Sequence, residues 1–205
     1  VIETRMTPPV TGPIGATRLE LDRAYRAMAE MTDRPVKIGS VSAQILAVML
    51  ADEHYRDRIA LLNALSDALN GEYHALADAG APIVQIEEPS IHQIVNDPNA
   101  TTEPGLWVDA FKREVRGLRE RCEVWCHTCW GSPAAQRVAN RDFSYEKALA
   151  YFDRFDVDVL TFEGAANRGA DFAHIGAQIS KDKKIAVGVV SHRTLQIEQP
   201  EDVAE

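Results

Sequence analysis

The chain has 205 residues, with 22 Lys and Arg against 31 Asp and Glu and a net charge of −9. Its length suits one domain or a piece of a larger one, and 45% hydrophobic with 26% charged residues excludes a disordered chain. The acidic balance offers no basic stripe for nucleic-acid phosphates, and no run of about 18 apolar residues is present to span a membrane.

The chain opens at Val1-Ile2-Glu3 without a signal-peptide pattern, which reads as an internal point of a longer protein. Thr7 to Pro13 is rich in breakers and predicts an ordered loop. Leu21, Ala24, Tyr25, Met28 and Met31 recur at helical spacing, and Thr32-Asp33-Arg34-Pro35 stops that helix. A short strand follows at 36–39. Over 57–79, Leu62, Leu65, Leu69, Tyr73 and Leu76 mark one face of a helix that Gly80 releases. A strand at 82–86 ends at Glu87-Glu88-Pro89. A helix over 105–120 turns Val108, Phe111, Val115 and Leu118 inward. A strand at 123–126, a helix near 145–152, a strand at 157–162, a helix near 171–180 and a strand at 184–190 complete the series. Short, apolar, β-branched strands alternating with helices predict an α/β chain with parallel pairing, its strands buried on both faces.

Nearly every unusual polar residue follows a strand. Glu87 and Glu88, then His127 and Cys129, then Glu163, then Ser191, His192 and Arg193 stand at four successive strand ends. In parallel α/β architectures these ends converge on one face, where sites are built. In His127-Thr128-Cys129, residues two apart on an extended chain point the same way, so imidazole and thiolate can reach one ion. A mixed nitrogen and sulfur set suits zinc, and Glu163 on the next strand adds an oxygen. The alternative is a buried cysteine beside a hydrogen-bonded histidine.

Three cysteines, Cys122, Cys126 and Cys129, are too few for a disulfide scaffold and point to a reducing, cytoplasmic compartment. Cys126 and Cys129 also form a C-x-x-C, but a redox motif needs a helix N-terminus, and here the pair sits at a strand end. His54 and His74 read as surface or packing residues within helices. His92 and His174 have no assigned role.

Taken in order, Pro8-Pro9-Val10, Val36-Lys37, Val84-Gln85-Ile86-Glu87-Glu88-Pro89-Ser90, His127-Thr128-Cys129, Phe162-Glu163-Gly164-Ala165 and Gly188-Val189-Val190 resemble the catalytic domain of cobalamin-independent methionine synthase. The resemblance covers nearly the whole chain, so 1–205 is expected to be a single partial domain of that kind. It implies a (β/α)8 TIM barrel and a zinc ion that binds homocysteine as thiolate. It implies methyl transfer from a methylated folate or a methylated corrinoid, giving methionine. By position, His127 and Cys129 match the family's H-x-C zinc ligands and Glu163 its glutamate ligand. Glu87 falls where the family's aspartate contacts the amino acid substrate, and Glu88 on the following glutamate of that motif. The resemblance makes Glu88 and His192 candidate acids, and Glu87, Ser191 and Arg193 candidate substrate contacts.

Three departures stand out. Glu87 is one methylene longer than the family's aspartate, which opens the identity of the thiol. Gly39-Ser40-Val41 stands where T-G-P is usual, and Ser191-His192-Arg193 where D-I-H or D-V-K is usual. The resemblance also places the barrel's first strand or two before Val1 and a last cysteine ligand after Glu205, leaving about five or six of eight βα units.

Two related barrels supply alternatives: an epoxyalkane:coenzyme M transferase-like enzyme, and a uroporphyrinogen-decarboxylase-like one without thiol chemistry. The second would act on an anionic substrate through Arg193 and Arg168. A third expectation is a non-enzymatic partial barrel that covers its open edges by homo-oligomerisation.

Overall fold

A computed structural model describes residues 8–15, 18–131, 144–191 and 197–204. Its elements in chain order are β1 (Pro9–Val10), α1 (Leu21–Ala29), β2 (Lys37–Val41), α2 (Ala43–Met49), β3 (Ala51–Asp52), α3 (Arg58–Asp78), β4 (Ile83–Glu87), α4 (Ile91–Asn96), α5 (Pro104–Glu114), β5 (Glu123–Thr128), α6 (Leu149–Phe152), β6 (Val159–Glu163), α7 (Phe172–Gln178), β7 (Lys184–Gly188) and α8 (Pro200–Ala204). Single 3-10 turns lie at Leu118–Glu120, Glu146–Ala148 and Ala165–Asn167. A five-stranded sheet in the order β2-β4-β5-β6-β7 is parallel throughout, and β1 and β3 form a small parallel pair beside it. This is the expected α/β architecture, an incomplete (β/α)8 TIM barrel.

Local chemistry sets the element ends. The Asp57 carboxylate accepts from the amides of Ile59 and Ala60 and starts α3. At its other end Gly80, at φ +94°, donates to the Ala77 carbonyl while Ala81 donates to that of Leu76, which closes the helix in a Schellman turn. Gly39 on β2 is needed for a different reason. A methyl group there would overlap the Gln85 carbonyl oxygen of β4.

The sheet's two faces differ. Val84, Ile86, Val124, Cys126, Leu160 and Phe162 alternate along β4, β5 and β6 and are buried against the helices. Opposite to them, Gln85, Glu87, Trp125, His127, Thr161 and Glu163 face the barrel interior and remain partly exposed. The inner face is therefore polar, and the strands are not buried on both faces as their composition predicts.

Several other expectations change. The helix expected to turn Met28 and Met31 inward stops at Ala29, and of its apolar series only Tyr25 is buried. The helix expected over 105–120 breaks after Glu114, and Gly117, at φ +74°, admits a separate 3-10 turn. Its inward residues Val108, Phe111, Val115 and Leu118 are all fully buried, as expected. His54 lies in a turn, not a helix, edge-on to Tyr55. Helices α2 and α4 appear where none is expected. The edge strands carry exposed apolar residues, Val41 on β2 and Ile185 and Val187 on β7. Among the described residues no helix is long and apolar enough to cross a membrane.

Candidate metal and thiol site

Parallel register brings the strand ends together. Val41, Glu87, His127, Thr161 and Ala186 form one row across β2, β4, β5, β6 and β7. Glu87 and His127 are direct partners on adjacent strands, and the His127 Nδ1–H donates to Glu87 Oε2. Cys129 hydrogen-bonds to the same imidazole. Its sulfur also accepts from the Gly131 amide at 3.4 Å. One further step of the β5–β6 register sets Cys129 beside Glu163, whose Oε2 accepts from the Trp130 amide at 2.9 Å.

Electrostatics follow from these contacts. The hydrogen bonds with Cys129 and then Glu87 push His127 up to about 10, against burial, so the imidazole is cationic at neutral pH. Burial raises the Glu87 carboxyl, but the hydrogen bonds from His127 and Gln85 outweigh it and the net shift is downward. Glu87 is therefore ionised.

Glu88, one residue on, has the opposite fate. It is fully buried, and burial pushes its carboxyl up against the hydrogen bonds that lower it. Glu88 Oε1 accepts from the Ser90 hydroxyl and amide, and Oε2 from the Ile91 amide at 3.2 Å. Its side chain folds back onto the start of α4. Ser191 is half-buried, its amide donating to Glu198 Oε1 at 2.7 Å. His192 and Arg193 lie outside the described residues. Arg168 is exposed in a left-handed turn after β6.

The outer side of β5 holds residues that sequence reasoning did not assign. Thr128 and Cys126 point away from His127, as expected, and both are fully buried. Burial, followed by the charges of Glu88 and Glu87, pushes the Cys126 thiol well above the ordinary range. Both cysteines are free, Cys126 buried and Cys129 half-buried, which gives the redox reading of C-x-x-C no support. The Thr128 hydroxyl and His92 Nδ1 are 3.1 Å apart, and His92 meets Trp130 edge-on at 4.4 Å. The Tyr145 hydroxyl donates to the Thr128 carbonyl at 3.4 Å. This packed layer fixes the backbone that carries His127 and Cys129.

Among the described residues no three His, Cys, Asp or Glu groups stand close enough together to hold a metal ion. Two of the expected ligands, His127 and Cys129, are brought together, while Glu163 is held against the Trp130 amide. An imidazole paired with a thiol, with a carboxylate one strand away, is a donor set that fits zinc.

Comparison with known proteins accords with this architecture. The chain superposes with a TM-score of 0.75 on a B12-independent methionine synthase from Shewanella sp., at 22% identity over 96% of this chain and 56% of that one. A Listeria monocytogenes structure, a vitamin-B12-independent methionine synthase by its description, gives 0.75 at 18% identity over 96% and 59%. In sequence, methionine synthase of Sulfurisphaera tokodaii is 26% identical over 170 residues, 82% of this chain and 43% of the relative. That of Pyrococcus furiosus is 26% identical over 187 residues, 91% and 49%. The chain spans about half the length of these curated relatives. The family model described as the cobalamin-independent synthase catalytic domain matches residues 2–205, and the chain belongs to that family.

Proposed function

We propose that this chain is part of a zinc-dependent methyltransferase that moves a methyl group from a methylated folate to homocysteine, giving methionine. The observation that carries the reading is the meeting of His127 and Cys129 on the inner face of the barrel, at the C-terminal end of a central strand. His127, Cys129 and Glu163 would hold the metal. A free alkyl thiol has a pKa of about 8.5 and is mostly the poor nucleophile at neutral pH, and zinc, when bound, would supply the deprotonation.

The other roles fall to side chains of this chain. Glu87, ionised, offers negative charge to a substrate ammonium. The amine left when a pterin loses its methyl group must take a proton, for which His192 is the candidate donor that remains, since the Glu88 carboxyl is sealed beneath α4. Ser191 and Arg193 would contact the substrate's anionic part. The family's cobalamin-independent description favours the folate over a corrinoid as donor.

Metal analysis of the intact chain after mild dialysis is the test. The expected result is about one zinc per chain, lost in His127→Ala. Full metal content in that variant, or methyl transfer indifferent to chelators, would overturn the reading. Chelator-indifferent activity on an anionic substrate would favour the decarboxylase-like alternative.

A further inference from the structure

The inner face holds a hydrogen-bonded chain across three strands whose first two members, Lys37 and Gln85, the proposed reaction does not use. Lys37 of β2 stands over the Trp125 ring at 4.3 Å and donates from Nζ to Gln85 Oε1 at 2.6 Å. Gln85 of β4 donates from Nε2 to Glu87 Oε1 at 2.5 Å. Glu87 Oε2 accepts from His127 of β5.

Each link fixes the direction of the next. An ammonium only donates, so the Gln85 carbonyl must face Lys37 and its amide nitrogen must face Glu87. Glu87 Oε1 is taken by the Gln85 amide and Oε2 faces His127 Nδ1, so that ring nitrogen carries its proton toward Glu87. Nε2 is then the nitrogen left to meet a metal. Adjacent strands lie about 4.8 Å apart, and Glu87 is the direct register partner of His127. A glutamate spans that gap to the ring, whereas an aspartate is one methylene shorter.

We infer that Glu87, aimed by Gln85 and Lys37, is the positioning residue that turns His127 Nε2 toward the metal. Glu87 thus acts on the zinc site as well as facing the substrate. The inference rests on the zinc reading above and deepens it. Carboxylates that hold a ligating histidine by its other ring nitrogen set its tautomer and orientation, and their loss weakens metal binding about 10- to 100-fold.

The test uses the 205-residue chain and zinc alone, titrated against a chromophoric chelator. Glu87→Ala is expected to bind zinc about 10- to 100-fold more weakly than wild type. Glu87→Gln, whose amide oxygen still accepts the Nδ1 proton, should recover part of the loss. Gln85→Leu, which removes the aiming contact but leaves the carboxylate, should fall between wild type and Glu87→Ala. In the metal-free chain labelled with nitrogen-15 histidine, His127 should show a slowly exchanging Nδ1–H signal that disappears in Glu87→Ala.

Wild-type zinc affinity in Glu87→Ala overturns the inference, as does an Nδ1–H signal that this substitution leaves unchanged. If wild type takes up no zinc, the functional reading fails with it. The metal-free imidazole signal still decides the Glu87–His127 pairing separately.

Discussion

Neighbouring residues on β4 and β5, or just past their ends, meet opposite environments. Glu87 and Glu88 are adjacent in sequence, yet one faces the half-open interior of the barrel and the other is sealed beneath α4. Glu87 is paired with a cationic imidazole and ionised, while Glu88 is pushed toward its neutral form by burial. His127 faces inward where Thr128 and Cys126 face the helices. The period-two alternation of a strand thus sorts similar polar residues into two trades. The inner face keeps charged and partly exposed groups, and the outer face uses its polar groups to hold backbone still.

The sharpest way to break this division is to cut the outer face. Phe162, next to Thr161 on β6, is almost wholly buried among Tyr145 and Phe152. Phe162→Ala should cost about 3–5 kcal/mol in urea unfolding, from lost burial plus the cavity left behind. If the faces are separate in their roles, folded Phe162→Ala keeps the Glu87–His127 pairing. Loss of that pairing in a folded variant would show that the two faces act as one unit.

A second carboxyl on the helix side extends the contrast to pH. Glu114 is fully buried, accepting from the Ala43 amide at 3.0 Å and the Tyr73 hydroxyl at 3.1 Å. Burial pushes it up to about 8, with a further contribution from the charge of Glu88. Between the ordinary carboxylate value of 4.5 and about 8, the folded chain binds a proton that the unfolded chain has released. The stability Glu114 contributes is therefore full below that window and lost as pH rises through it. The slope is about 1.4 kcal/mol per pH unit at most. Glu114→Gln mimics the neutral acid and should flatten this slope, which denaturant titrations at several pH values would read. An unchanged slope would mean that Glu114 is ionised in the fold.

These contrasts also mark what could be read before the fold was known. The run of Val157 to Phe162 and the alternation in His127-Thr128-Cys129 carry their geometry locally, so strand identity and a shared face for imidazole and thiol follow from sequence. The pairing of Glu87 with His127 does not, because it depends on register between strands whose paired residues are 40 positions apart. Helix α2 escapes because it is seven residues long with an apolar run, AQILAVM, and no contrasting polar face to mark a period. Met28 and Met31 mislead for the opposite reason. The apolar rhythm outlasts the helix that would have used it. Gln85 was visible two residues before Glu87 on the same face, but its part depends on Lys37 from another strand.

The smallest expected effect tests the inner face alone. Thr161 lies in the row of Glu87 and His127, and its hydroxyl oxygen is shielded from water with no hydrogen-bond partner among the described residues. An unpaired buried hydroxyl costs stability, and valine replaces it with a methyl group of the same shape on an equally β-branched frame. Thr161→Val should leave stability unchanged or raise it by up to about 1 kcal/mol. Zinc affinity should stay at the wild-type value, since neither His127 nor Glu87 uses that hydroxyl. A clear loss of zinc affinity with stability intact would mean that the hydroxyl finds its partner only when the metal is bound. The inner face would then include Thr161 among the groups that steady the site, and the separation between the two faces would run through β6 one residue closer to Glu163.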